Sequence, residues 1–297
     1  MKRIFRLVFA CLLLCSSAAC AQPPLPTLSH ALVGSQFEYT VQKGDFLIAL
    51  AARFGESATD IARLNGIRYE GYIHPGQRLL IDNRHIVPET LDNGILINLP
   101  QRMLFFFQAG KLAGAYPVGL GEPSWPTPAG AFHVAELRKN PTWVVPRSIQ
   151  EEMRRENQAV LTRVPPGPDN PLGKYWIGLN MPGYGIHGTN APSSVYHYQS
   201  HGCIRLHPEN VEKLFPLVPV GLPARIIYAP VLLAELPDSA IYLEVNRDIY
   251  SKGVNALQIV TQLAAANRLT NRIDWHKAAS VVQQQEGLAR KINASGQ

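Results

Sequence analysis

Apolar and polar positions change period along the chain, and the changes divide it. Phe37, Tyr39 and Val41 alternate with Glu38 and Thr40, the period of a half-buried strand, and Lys43-Gly44 turns the chain. Asp45 stands where a helix N-cap belongs, ahead of Leu47, Leu50, Ala51 and Phe54 on one helical face, and Gly55 supplies the stop. Ser57 and Asp60 have capping-box spacing ahead of Ile61 and Leu64, and Asn65-Gly66 ends this second helix. The turn His74-Pro75-Gly76-Gln77 then leads into a strand over 78–81. The predicted order over 37–82 is strand, helix, helix, strand.

From Gly94 the texture becomes β. Ile95, Ile97 and Leu99 alternate, Met103 to Gln108 is an apolar run, and Gln108-Ala109-Gly110-Lys111 predicts a hairpin into Leu112–Leu120. Phe105, Phe106 and Phe107 read as core. Thr127-Pro128-Ala129-Gly130 opens a strand over 131–137, the polar stretch 151–158 predicts a surface helix, and a proline-rich loop over 165–173 precedes a strand over 175–179. Beyond Tyr228, a strand over 241–245 and helical patterns over 255–266 and 274–290 predict a small α/β subdomain.

The chain's start belongs to none of these units. Lys2, Arg3 and Arg6 precede an apolar run from Leu7 to Cys15, too short for the roughly 20 residues that span a bilayer. Residues 1–21 therefore read as an export signal, cleaved after Ala19-Cys20-Ala21, with lipidation of Cys20 as the alternative and 22–36 as a linker. Loss of the three basic residues lowers the formal charge from +6 to about +3, which does not argue for nucleic acid. Cys11, Cys15 and Cys20 lie in or beside the signal, so Cys203 becomes the single mature cysteine, either a buried packing thiol or a reactive one.

Its neighbours favour reactivity. His187 lies sixteen residues earlier, at the end of a strand entering Gly188-Thr189, and a histidine can generate the thiolate that an active cysteine needs. Gly202 lets the backbone bend close to a substrate carbonyl, so that the N–H groups of Gly202 and Cys203 can face a developing oxyanion. Arg205 is either a tie for the loop or an anchor for a carboxylate. A metal site from His187, His201, Cys203 and His207 lacks any supporting spacing, so neither metal nor cofactor is expected.

Two segments carry resemblances. YTVQKGDFLIALAARF, DIARLNG and IHPGQRLLI, over 39–82, resemble a LysM module, with Phe46 where that family most often has Thr. This implies binding to N-acetylglucosamine-containing glycan strands through Gly44, Asp45, Asn65, Pro75 and Gly76. HGTN followed by SHGCIR, over 187–205, resembles the signature of the YkuD-like L,D-transpeptidases. Weaker similarity runs over 94–229, where TPAGAF, NPTW and PPGPDNPLG recur, the last two as in periplasmic enzymes that join murein lipoprotein to peptidoglycan.

The second resemblance implies a mainly β catalytic domain, a mixed β-sandwich, behind the small βααβ module. It implies Cys203 as the acylated nucleophile, His187 as base oriented by the Gly188 carbonyl, and Ser200, His201, Gly202 and Arg205 as shapers of the oxyanion and substrate pocket. The reaction implied is thioester transfer in the periplasm from a peptidoglycan tetrapeptide stem, with release of D-alanine. The acceptor is a second stem, the lysine of murein lipoprotein, or water in a hydrolytic relative. Carbapenems are expected to acylate Cys203. Tyr196 replaces the glycine of many members, so the loop before the site is expected to follow its own path. A glycan-binding protein without catalysis is the alternative of a different class.

Overall fold

The computed structural model describes residues 27–294. The export signal, its cleavage site and Cys20 lie outside the described residues.

The first unit pairs β1 (Gln36–Thr40) antiparallel with β2 (Arg78–Asp82) around α1 (Leu47–Phe54) and α2 (Ala58–Leu64). Leu50 and Ile61 are fully buried between these elements, each stabilising the unit by about 1.5–3 kcal/mol. Ser57 caps α2 by accepting from the Asp60 N–H at 3.1 Å, and Gly55 closes α1 in the left-handed region, as their spacing predicts. Asp45 does not cap α1. The residue before that helix is Phe46, in extended conformation with no side-chain cap. The Asp45 carboxylate instead accepts from the Gln42 N–H and the Tyr39 hydroxyl, both at 2.7 Å, because the tight turn at Gln42 brings those donors closer than the helix start.

The chain then builds one nine-stranded mixed sheet. It contains β3 (Gly94–Asn98), β4 (Met103–Gln108), β5 (Lys111–Gly121), β6 (Gly130–Lys139), β7 (Tyr175–Leu179), β8 (Gly185–His187), β9 (Tyr198–Ser200), β10 (Ile204–Leu206) and β11 (Pro223–Ile227). Their order is β9-β5-β10-β8-β7-β6-β11-β3-β4, and β4 pairs back onto the long β5, so the sheet closes on itself. The hairpin between β4 and β5 turns through Ala109 and Gly110, both at positive φ, the geometry that matches strand twist. Phe106 fills the main core, while Phe105 and Phe107 point to a second cluster on the other side, so the three phenylalanines are structural.

Helix α3 (Arg147–Arg155) begins four residues earlier than the polar stretch suggested; it is a surface helix with no buried residue, and one side of it walls a groove described below. After α4 (Pro208–Leu214), the chain forms a three-stranded sheet from β12 (Val231–Glu235), β13 (Ile241–Val245) and β14 (Arg290–Lys291). Helices α5 (Ala256–Ala266) and α6 (Trp275–Gln284) pack on it. The second helical pattern stops at Gln285, whose positive φ breaks it before the last strand.

The units meet around a buried polar knot. Glu244, fully buried on β13, accepts from the Ile86 N–H at 2.7 Å and the Gln101 amide at 3.0 Å, with the His85 ring at 3.2 Å. The other ring nitrogen of His85 meets the Gly55 carbonyl at 2.8 Å, so one side chain joins the first unit to the last. Arg290 binds Asp82 at 2.6 Å across the same boundary. Beside it lies Glu56, whose carboxyl burial pushes up to about 8.

Candidate active site

The parallel pairing of β8 with β10 sets Ile186 opposite Ile204 and His187 opposite Arg205. Ile186, Ile204 and Leu206 point into the core, so the alternation of a strand turns His187, Cys203 and Arg205 to the other face together. That face lines a groove of about 580 Å³, roofed by the loop before α3, by α3 itself through Glu152 and Met153, and by Pro171 and Leu172. The proline-rich loop holds its place because the buried Asn170 amide donates to the Pro141 carbonyl at 2.8 Å while its oxygen accepts from the Leu172 N–H.

His187 is buried, and its Nδ1 lies 2.5 Å from the Gly188 carbonyl. An acceptor there fixes the proton on Nδ1 and leaves Nε2 as the basic nitrogen. The Trp176 indole stacks on the ring at 5.8 Å between centroids and donates its N–H to Glu136 at 2.9 Å. Burial pulls the imidazole down to about 4, with the Arg205 charge adding to the effect and the Gly188 and Leu172 carbonyls opposing it. Burial pushes the Cys203 thiol up, opposed by the Gly185 N–H and by Arg205. Both shifts favour neutral forms, and the Cys203 thiol donates to the Gly183 carbonyl at 3.3 Å on the wall of the groove that His187 also lines.

The turn carrying Cys203 is clamped from within. Ser200 Oγ donates to the Cys203 carbonyl at 2.6 Å and accepts from the Gly202 N–H at 3.2 Å. Thr127 Oγ1 donates to the Gly202 carbonyl and accepts from the Gly121 N–H, both at 2.9 Å. Gly202 sits at φ 98°, and a Cβ there would lie 2.7 Å from the Tyr184 ring, so both conformation and space require glycine. The pair of oxyanion donors expected from sequence is therefore halved in this state, since the Gly202 N–H is spent on Ser200.

His201 turns toward α3, where its Nε2 meets Glu152 at 2.5 Å, and the Trp125 ring covers it edge-on at 5.3 Å. Among the described residues no carboxylate pairs with Arg205, whose guanidinium is pulled down by burial and affected otherwise only by Cys203. Of the two roles sequence left open, an internal tie has no partner to bind. Glu152, Trp125, Trp176 and Thr127 escaped the sequence reading.

Tyr196 takes a backbone conformation that suits glycine although it carries a full side chain. It adopts φ 63°, the region glycine would take, and its ring is 2% exposed. The Arg102 guanidinium lies 3.9 Å above that ring and donates to the Tyr196 carbonyl at 3.1 Å, while the hydroxyl has no partner among the described residues. The ring stands beside His85, so the loop between His187 and Cys203 is rooted in the polar knot. The first unit bears on the same loop, with α1 packed on the turn Pro192–Ser194 and Arg53 reaching Glu209 at 3.3 Å.

In that first unit, Gly44 and Gly76 occupy neighbouring exposed turns, both at positive φ and joined through Val41, which donates to the Gln77 carbonyl and accepts from the Gly76 N–H. Asp45 and Pro75 belong to the same two turns. Asn65 is apart in its bonding: its amide is committed to the carbonyls of Ile61 and Leu80 and to the Leu80 N–H.

The family model of the L,D-transpeptidase catalytic domain, YkuD, matches residues 92–226, and that of the LysM domain matches residues 39–82. The chain is 32% identical to the probable L,D-transpeptidase YbiS of Escherichia coli K12, over 84% of this chain and 82% of that one. It is 30% identical to the probable L,D-transpeptidase ErfK/SrfK of the same strain, over 99% of this chain and 98% of that one. The crystal structure of Mycobacterium tuberculosis L,D-transpeptidase 1 is 25% identical, covering 45% of this chain and 60% of that chain with a TM-score of 0.34.

Proposed function

The chain belongs to the YkuD family of L,D-transpeptidase enzymes and carries a LysM domain, and from that premise we propose that it acts on peptidoglycan in the periplasm by acyl transfer through Cys203. The observation that carries the proposal is the register of β8 against β10, which gives His187, Cys203 and Arg205 one face of one groove.

The donor is a tetrapeptide stem. Its terminal carboxylate is anchored by the unpaired Arg205, and the carbonyl before the D-alanine faces Cys203. His187 Nε2 takes the thiol proton as sulfur attacks, held in the right tautomer by the Gly188 carbonyl. The proton passes to the departing amine and D-alanine leaves, so a thioester remains on Cys203. The Cys203 N–H supports the oxyanion, and a donor of this kind contributes about 2.7–4 kcal/mol in the transition state. A neutral resting pair suits this sequence, because the proton moves only when a carbonyl is present to receive the sulfur.

An amine resolves the thioester: a second stem gives a 3→3 cross-link, and a lipoprotein lysine gives anchoring. The LysM domain holds glycan strands through the turns bearing Gly44, Asp45, Pro75 and Gly76. Carbapenems acylate the same sulfur.

Mass spectrometry of the protein incubated with disaccharide-tetrapeptide tests this directly. A thioester at Cys203 with loss of D-alanine is expected, together with a dimeric product or, when a lysine-ended peptide is supplied, its conjugate. Release of free stem without conjugate assigns a hydrolase. Turnover that survives Cys203→Ala overturns the mechanism, and absence of any adduct leaves a binding protein.

A further inference from the structure

The strand order places β10 between β8 on one side and β5 with β9 on the other. His187 therefore flanks Cys203 from β8, while His201, which follows β9, flanks it from the opposite side. The two histidines are built differently. His187 is oriented by a backbone carbonyl, and His201 by the carboxylate of Glu152 on α3, at 2.5 Å from Nε2. With Nε2 so engaged, Nδ1 of His201 is the nitrogen left for a ligand, and His201, Glu152 and Cys203 all line the groove. Glu156, also on the α3 side of that groove, adds a second negative charge to this wall.

An acyl acceptor for this reaction arrives as an ammonium ion and must lose a proton before it can attack. His187 is committed in this reaction to the proton exchanged with the sulfur, so the ammonium proton needs a second acceptor. His201 is placed for that task, because a proton received at its Nδ1 would leave the ring facing the Glu152 carboxylate through Nε2.

We propose that Glu152 and His201 form the acceptor half of the site, binding a cationic amine and serving as its proton acceptor in the second step. This rests on the acyl-transfer function above. His201 Nδ1 takes one proton from the ammonium, and the freed amine attacks the thioester carbonyl. The C–N bond forms, the C–S bond breaks, and the second nitrogen-bound proton passes through His187 to the departing sulfur. The thiol is restored, and the proton on His201 is released to solvent. Helix α3 then does more than cover the groove: its carboxylate at position 152 marks where the second substrate sits.

The test reads the ratio of aminolysis to acylation in single-turnover experiments on the full chain, with a disaccharide-tetrapeptide donor and a lysine-ended peptide as acceptor. Glu152→Gln is expected to lower that ratio about tenfold and His201→Gln about a hundredfold, with water capturing more of the acyl-enzyme. Hydroxylamine, an amine already unprotonated at neutral pH, is expected to resolve the acyl-enzyme of Glu152→Gln as fast as that of the unaltered protein. A purely structural role for Glu152 would slow both amines alike, and that result overturns the proposal, as does an unchanged ratio. Failure of the acyl-transfer function would look different, because no adduct would form on Cys203 in the unaltered chain.

Discussion

The loop from Gly188 to Gly202 starts and ends at the groove and meets the polar knot at its middle, through Tyr196, and these two polar clusters are assembled on opposite terms. In the knot, Glu244 is wholly buried and surrounded by donors from three segments of chain, and Asp82 is bound by both Arg84 and Arg290. In the groove, the thiol and imidazole are both driven toward neutrality, and among the described residues Arg205 has no carboxylate to neutralise it. Buried polar groups that hold a fold together need their partners within the fold, whereas groups that act on a ligand must be left short of one.

The sharpest way to break the contrast is to remove Glu244. Glu244→Ala strips acceptors from Ile86, Gln101 and His85 at once, and chemical denaturation is expected to register a loss of about 3–5 kcal/mol.

Next in size is the response to pH. An unfolded His187 takes up a proton below about 6.5, while the folded one refuses it until about 4, so the unfolded state binds more protons between those values. Stability falls as pH drops through that window, by up to about 3 kcal/mol from this residue, and a His187→Asn variant is expected to lose that share of the slope. Iodoacetamide alkylation of the free enzyme follows the same logic on the alkaline side, rising only above the ordinary thiol range because burial holds Cys203 protonated.

Arg205→Gln separates the clusters most directly. It is expected to raise KM for the tetrapeptide stem about tenfold, while denaturation moves by no more than about 0.5 kcal/mol, since Arg205 pairs with no carboxylate among the described residues. The smallest effect belongs to Tyr196→Phe. The hydroxyl is buried without a partner among the described residues, so its removal leaves stability equal or improves it by up to about 1 kcal/mol, as thermal unfolding would show.

Local features of the fold were legible because they depend on residues near one another. The stop at Gly55, the cap at Ser57 and the hairpin through Ala109-Gly110 need only the conformational preferences of a few positions. The Asp45 cap failed for a related reason: two donors, Gln42 and Tyr39, competed for its carboxylate, and the spacing of apolar residues reports nothing of that competition. His187 and Cys203 stood out as chemistry, but their shared face follows from a parallel pairing whose register no stretch of sequence announces. Glu152 was hidden most thoroughly, being 49 residues from His201 on a helix that reads as solvated on every side.

The LysM domain is not suspended from the rest by a slack tether. Its first helix bears on Pro192–Ser194, Gly55 abuts Pro117, and His85 stitches the Gly55 carbonyl to Glu244. A flexible linker would average the gripping site over a cloud of positions and dilute its effective concentration at the sulfur. Here folding sets the span, so the two domains stand to each other as the jaws of a caliper whose opening is fixed by packing rather than by the wandering of a linker.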